Sequence, residues 1–476
     1  MPRLSPFSRP DRLRIVGEEA RSLVVLSGPI AFTQLGQISN GFIDVIMVGR
    51  LGAAELAGVA LGNATYFMFM LMCLGTLHAV GPMVSQAFGA GAREPIARTL
   101  HQAFWLCICL AMPIVAILWF ASPIWTILRQ DTTTIILAQG YLRAAVWGFL
   151  PFLWFNALRN FVEAVSKPWP VTQIILGGIV LNIVANYGLM YGNFGLPRLG
   201  LAGTGWATSI VHLAMLLAIA VYIQSRRQFS TLRVFSGLGR FDFRYFRELV
   251  RIGLPIGGAY GLEVTLFSST AFLVGTLGPV ALAAHQIAIQ CAAVAYMVPL
   301  GIGIATTVRV GQNVGRRSVV RATWSGFLGM GLSLVFMSGT AMIFLFAPQL
   351  LVSIYVPIDQ PNTAATAVLA IELLGLAALF QLFDGLQVAA QGALRGLKDT
   401  RLPMLYCFFG YWLIGIPTGL ILGYGLGWGA TGFWWGLVTG LLAASLMLSL
   451  RFIKLTRTRY WRRRLGSREE FQDSAN

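Results

Sequence analysis

The chain has 476 residues, of which 56% are apolar and only 11% charged, and its mean hydropathy is +0.71. Ordinary soluble domains carry about 25% charged residues, so this composition excludes a soluble globular fold. The net charge of +17 would suit a nucleic-acid-binding protein, but membrane proteins concentrate Lys and Arg in their cytoplasmic loops, and we therefore expect a lipid bilayer and no nucleic acid as the partner.

Windows of about 20 apolar residues predict membrane-spanning helices. In chain order the twelve predicted spans cover residues 22–48, 55–78, 101–121, 138–158, 171–191, 202–223, 252–275, 280–304, 324–346, 366–391, 405–424 and 430–453. With twelve spans both termini share one side of the membrane, and all but four of the 35 Lys and Arg residues fall on that side. The positive-inside rule then predicts a multi-pass protein of the cell (inner) membrane with both termini cytoplasmic.

The two halves of the sequence resemble each other. At a shift of 226 residues Pro29 falls on Pro255, and at a shift of 228 residues Asn156 falls on Asp384. Internal repeats of this kind are typical of secondary transporters, and two six-span repeats are related by an axis along the membrane normal.

The repeat predicts two lobes. The N-terminal six-helix lobe covers residues 1–230, a cytoplasmic linker covers 231–244, and the C-terminal six-helix lobe with a basic cytoplasmic tail covers 245–476. Two such lobes favour alternating access by rocking of one lobe against the other. The alternative, a channel, would have less use for duplication.

Four acidic residues lie inside otherwise apolar stretches, namely Asp44, Glu263, Glu372 and Asp384, whereas Arg143 is the one basic residue within a predicted span. A carboxylate at bilayer depth costs about 2.5–3.5 kcal/mol on insertion scales, so such residues usually face a wet cavity and bind something. The imbalance predicts a cavity that attracts cations. The roles of Glu372 and Arg143 stay open, since Glu372 lies more than three helical turns from Asp384 and Arg143 can reach the membrane surface.

Polar side chains surround the first-lobe acid. Gln37, Asn40 and Asp44 share one helical face of span 1, and Asn182 and Asn186 lie one turn apart in span 5. A carboxylate with several neutral oxygens suits a hard cation such as Na⁺, or a proton. The alternative for each amide is a hydrogen bond between helices.

In the second lobe, Glu263 follows Pro255, a residue that loosens a helix, and span 10 places Asp384 and Gln387 on one face. Glu263 and Asp384 are the best candidates for a shared cation site. Six side chains near these acids are candidates to line a substrate cavity, by cation–π, apolar or polar contact: Tyr260, Phe267, Phe380, Phe383, His285 and Gln286. Packing in the core is the alternative for each of them.

No phosphate-binding loop, catalytic triad or zinc-ligand spacing is found in the sequence. We therefore expect neither an enzyme nor a bound cofactor, and an ion gradient would supply the energy for transport.

Three stretches carry a family resemblance. Residues 41–44 (Gly-Phe-Ile-Asp), residues 253–256 (Gly-Leu-Pro-Ile) leading to Glu263, and residues 384–396 resemble the NorM branch of the multidrug and toxic compound extrusion (MATE) family. The resemblance implies an all-α polytopic membrane protein, with twelve transmembrane helices in two pseudo-symmetric six-helix lobes that form a V-shaped transporter.

The resemblance also implies a function. Members of the family export organic cation drugs and dyes by antiport with Na⁺ or H⁺. Matched residue by residue, Glu263 and Asp384 correspond to the cation-binding pair of the second lobe, and Asp44 with Asn182 and Asn186 to the polar group of the first. The paired acids and neutral oxygens favour Na⁺ over H⁺, and we expect a monomer. A lipid-linked sugar flippase of related architecture and a non-transporting membrane scaffold are the alternatives.

Overall fold

The computed structural model describes residues 9–230, 232, 234–237, 239–357 and 360–457. The side chains of residues 9–12, 40, 361 and 362 are not among those described. The predicted role of Asn40 and the predicted basic tail beyond residue 457 therefore lie outside the described part of the chain, as do three positions of the predicted linker.

Every regular element in the described residues is helical. The α-helices are α1 Arg9–Gly49, α2 Ala53–Leu77, α3 Val80–Gly89, α4 Arg93–Trp119, α5 Ser122–Ile127, α6 Thr132–Ala145, α7 Phe149–Ala164, α8 Trp169–Tyr191, α9 Leu201–Ser225, α10 Arg227–Ser230, α11 Phe243–Gly275, α12 Pro279–Gly315, α13 Val319–Phe346, α14 Pro348–Ser353, α15 Pro361–Gly396, α16 Arg401–Phe408, α17 Ile416–Leu420 and α18 Gly429–Arg457. A 3₁₀ turn at Val146–Gly148 precedes α7, and π-helical turns at Phe409–Gly415 and Ile421–Gly425 flank α17.

Ten helical segments of the described chain are long and apolar enough to cross a membrane. The other two predicted spans are the membrane parts of α1 and α11, where polar residues interrupt the apolar run. Several helices are longer than predicted, because α1 begins at Arg9, α12 ends at Gly315 and α15 ends at Gly396. Their added turns contain charged residues that are paired within the protein, so the apolar pattern stops before the helix does.

The chain packs as two compact units. We call Met1–Ala31, Ser85–Gly91 and Leu262–Asn476 the C-terminal unit, and Phe32–Val84 with Ala92–Gly261 the N-terminal unit. Helices α1 and α11 each contribute residues to both units. The lobe boundaries drawn from the sequence stay a prediction.

Within the C-terminal unit, α15 packs against α12, α13 and α18. A Cβ on Gly392 would lie 2.2 Å from the carbonyl oxygen of Gly303, and the Thr307 hydroxyl donates to the Gly392 carbonyl at 2.9 Å. Small residues at such contacts let membrane helices approach closely. The tight packing fixes the polar side chains of α15 inside the unit.

Within the N-terminal unit, α9 packs against α6, α7 and α8, and α2 packs against α6. A Cβ on Gly205 would lie 2.5 Å from the carbonyl oxygen of Tyr141. This unit therefore uses the same glycine-dependent packing.

Candidate functional site

In the N-terminal unit, Asp44 of α1 meets two asparagines of α8. The Asn186 amide donates to Asp44 Oδ1 at 2.7 Å and to Asn182 Oδ1 at 3.0 Å. Both asparagines are fully buried, and Asn186 Oδ1 has no hydrogen-bond partner among the described atoms. Gln37 is half-buried on α1. The predicted group is thus assembled with an open acceptor oxygen, and its role as a cation ligand stays a prediction.

In the C-terminal unit, Glu263 of α11 and Asp384 of α15 lie close enough for their charges to interact. Tyr296 of α12 is hydrogen-bonded to Glu263. Asp384 is buried and its Oδ1 atom has no partner among the described atoms. Since burying an unpaired carboxylate is costly, this oxygen is suited to a bound cation or proton.

Two further polar side chains extend this group along α15. Gln387 is 1% exposed and its Oε1 atom also has no partner in the described structure. Arg395, which the sequence analysis placed in a cytoplasmic connector, is buried, and its charge acts on Glu263. The site therefore contains two carboxylates, one guanidinium and open neutral oxygens.

No group of three or more His, Cys, Asp or Glu side chains able to hold a metal ion is found in the described residues. Each unit instead combines one or two carboxylates with amide or hydroxyl oxygens. Hard cations accept such oxygen ligands, so the donor sets fit Na⁺ or a proton as cargo better than a resident transition metal.

Several predicted cavity residues lie in the core of the C-terminal unit. The ring of Phe380 lies 6.0 Å from Phe267 and 5.7 Å from Trp434, and His285 lies 5.8 Å from Trp434. Phe380 and His285 are each 1% exposed. Neither side chain contacts open space in this conformation, and their part in a substrate cavity stays a prediction.

The remaining candidates are more accessible. Phe383 is half-buried and Gln286 is exposed, whereas Tyr260 belongs to the N-terminal unit and stacks on His78 with ring centroids 5.8 Å apart. Glu372 is exposed. Arg143 is also exposed and lies over the Trp119 ring at 5.8 Å, which agrees with an arginine that reaches out of its span.

Two buried charge clusters do not follow from the apolar pattern. In the N-terminal unit, Arg159 Nε donates to Glu163 Oε1 at 2.8 Å and Arg159 Nη2 donates to Gln34. The i, i+4 spacing of Arg159 and Glu163 on one helix was the available signal.

The second cluster, in the C-terminal unit, is centred on Glu19 of α1, which is fully buried. Arg309 Nη2 donates to Glu19 Oε1 and Oε2, each at 2.8 Å, and Ser325 Oγ donates to Oε2 at 2.8 Å. These partners lie some 300 residues away in sequence, so no local signal could have found them.

A family model for MatE matches residues 29–188 and 255–421, which contain both acidic groups. The chain belongs to the MatE family. It is 40% identical over 433 residues to the multidrug resistance protein NorM of Burkholderia vietnamiensis, covering 90% of this chain and 92% of that protein. It is 38% identical over 445 residues to a probable multidrug resistance protein NorM of Mesorhizobium japonicum, covering 92% and 95%. The predicted resemblance to the NorM branch is confirmed.

Solved MATE structures have the same fold. The eukaryotic MATE transporter AtDTX14 superposes with a TM-score of 0.81 at 21% identity, covering 95% of this chain and 100% of that one. A MOP superfamily transporter from Pyrococcus furiosus, described as having a binding pocket of reversed polarity, superposes with a TM-score of 0.83 at 18% identity, covering 95% and 100%. The predicted all-α membrane-transporter fold is confirmed, and these MatE relatives are transporters, not enzymes.

Proposed function

We propose that this MatE protein is a secondary active multidrug efflux transporter that exports organic cations by antiport with Na⁺, through alternating access. Its NorM relatives are named multidrug resistance proteins. We place it as a monomer in the cell (inner) membrane with both termini in the cytoplasm, because Lys and Arg are concentrated on the side of the termini.

The observation that carries the proposal is the pair of buried, unpartnered oxygens beside Glu263. Asp384 Oδ1 and Gln387 Oε1 are held in a packed helix and have no protein partner in the described structure. A preformed set of open oxygens lowers the cost of ordering ligands around a cation. Asp44 with Asn186 supplies a second set in the N-terminal unit.

Coupling follows from competition at these oxygens. A Na⁺ ion at Glu263 and Asp384, or at Asp44, removes the negative charge that attracts an organic cation, so ion entry from outside favours drug release. The ion leaves on the cytoplasmic side after the conformational change. Flux is coupled because each ligand binds the two conformations with different affinity. A proton would neutralise the same carboxylates, and H⁺ is the alternative coupling ion.

The test uses inside-out vesicles that contain the purified protein and a fluorescent organic cation, with Na⁺ and pH gradients imposed separately. Wild-type protein should move the dye under one of the two gradients, which identifies the ion. Glu263→Gln, Asp384→Asn and Asp44→Asn should each lower the gradient-driven rate about tenfold or more, since each removes a charge that the cycle needs.

Glu372→Gln is the matched control, because it neutralises an exposed carboxylate on the same helix as Asp384. No gradient-driven movement by folded wild-type protein would exclude antiport of this dye and favour the flippase or the scaffold. A flippase would need free cationic groups for a pyrophosphate, whereas Arg159 is bound to Glu163 at 2.8 Å and Arg395 to Gln391 at 2.6 Å.

A further inference from the structure

A continuous polar face runs along the cytoplasmic half of α15. Asp384, Gln387, Gln391 and Arg395 follow one another at i, i+3, i+7 and i+11, so they share one helical face. All four side chains are buried, with exposed fractions between 1% and 8%. Side chains of this kind are rare inside a membrane protein unless they contact each other, a cavity or an ion.

The two ends of this polar face differ. Towards Asp384 the acceptor oxygens Asp384 Oδ1 and Gln387 Oε1 are open. Towards the helix end, Arg395 Nη2 donates to Gln391 Oε1 at 2.6 Å, and Gln391 Nε2 contacts Cys407 Sγ at 3.2 Å. Gln391 is thereby oriented with its oxygen towards the guanidinium, which fixes Arg395 within reach of the acidic group.

Arg395 cannot give up its proton in a protein, so it is a permanent positive charge. It acts on Glu263, which in turn interacts with Asp384. With both carboxylates ionised the three residues sum to one net negative charge. A single monovalent cation would make the buried group neutral, and neutral groups are the ones that low-dielectric interiors accept.

We propose that Arg395 is a tethered cation that competes with the coupling ion for Glu263 and Asp384, and so sets how tightly that ion is held and how fast it leaves. This inference rests on the proposed antiport function. Without Arg395 the two carboxylates would hold the incoming ion more tightly and release it more slowly. Its charge therefore permits turnover at the expense of ion affinity.

The test measures ion binding separately from transport. Full-length protein in detergent is titrated with ²²Na⁺, and displacement of a bound fluorescent organic cation is followed by Na⁺ and by pH. Arg395→Gln should lower the half-saturating ion concentration about tenfold or more, because a unit charge a few ångströms away contributes at least that much at a protein-like dielectric. Its maximal transport rate should fall, and Arg395→Lys should restore both quantities most of the way.

Arg451→Gln is the matched control. Arg451 lies in the same unit, and its guanidinium donates to Asp399 at 2.9 Å, so this variant removes an arginine without removing charge from the acidic group. Its half-saturating ion concentration should equal that of wild type. A purely structural role of Arg395 would lower the amount of folded protein and leave ion affinity unchanged.

A double variant keeps the test valid if Arg395→Gln does not fold. In Asp384→Asn the charges of Glu263 and Arg395 cancel, so ion binding should be lost. Adding Arg395→Gln to Asp384→Asn leaves Glu263 as the one charge, and ion binding should return by about tenfold relative to Asp384→Asn alone.

The outcomes separate the two proposals. Unchanged ion affinity in Arg395→Gln, no recovery in the double variant, or an Arg395→Lys variant that behaves like Arg395→Gln would each overturn the role of Arg395. Wild-type protein that binds neither ion and releases no dye would instead overturn the antiport function itself.

Discussion

Helices α7 and α15 occupy corresponding places in the two repeats and end in the same backbone conformation. Ser166 and Lys398, 232 residues apart, both have positive φ, at 61° and 58°. The Ser166 amide donates to the Glu163 carbonyl, and the Lys398 amide donates to the Arg395 carbonyl. In each case the next amide bonds five residues back, to Val162 or Leu394, which completes a Schellman motif. The two ends can therefore be compared position by position.

The side chains at these matched positions have opposite character. The last turn carries an acid, Glu163, in α7 and a base, Arg395, in α15. One turn earlier stand Arg159 and Gln391, which bond to their neighbours at 2.8 Å and 2.6 Å. In α7 the two charges neutralise each other, whereas in α15 the partner is neutral and the guanidinium keeps its charge.

The difference teaches how one duplicated helix end can serve two purposes. In the N-terminal unit it forms a closed ion pair that contributes to the structure. In the C-terminal unit the same i, i+4 geometry holds a charge that acts on Glu263, beside oxygens that are still open. Neutralising substitutions should therefore affect stability in the first place and ion affinity in the second.

The largest effect is expected in α7. Arg159→Met leaves Glu163 buried without its cation and should lower the free energy of unfolding by about 3–5 kcal/mol. The measurement is denaturant unfolding of the purified protein in detergent. The double variant Arg159→Met with Glu163→Leu should recover most of the loss, because no unpaired charge remains. If the double variant is no more stable than the single one, α7 is not held by a closed ion pair.

A smaller loss of stability is expected at the matched position in α15. Gln391→Leu removes a hydrogen bond to a charged group, which should lower the free energy of unfolding by about 1.5–3 kcal/mol. Gln381→Leu, on the same helix, removes the neutral bond from Thr340 at 3.0 Å and should cost about 1 kcal/mol. Equal losses in the two variants, measured by the same unfolding assay, would show that the charge of Arg395 does not reach Gln391.

The sequence predicted most of the fold and the members of the acidic groups. Apolar windows find membrane spans because lipid requires them, and helical spacing places Asp44 with its polar face and Asp384 with Gln387. The encounter of Asp44 with Asn186 needed only the assumption that polar faces turn inward.

The buried arginines could not be predicted in this way. Arg159 and Arg395 follow the apolar windows directly, and a charged residue there is usually at the membrane surface. Whether such a side chain is buried depends on its partners, and the partners of Glu19 lie in helices that are distant in sequence. The same limit applies to Phe380, since an aromatic residue beside an acid in sequence can face the core as readily as a cavity.

The smallest effect tests the alignment of the two helix ends. L-residues pay a conformational cost at positive φ that glycine does not, so Ser166→Gly should raise the free energy of unfolding by about 0.5–1 kcal/mol. Lys398→Gly should raise it less, because it also removes a cation from the helix C-terminus. Gly195, with φ of 75° and open space around its Cα, provides the converse control, and Gly195→Ala should lower stability by about 1 kcal/mol. Destabilisation by both glycine variants would mean that the side chains at these ends, and not the shared backbone turn, hold α7 and α15 in register.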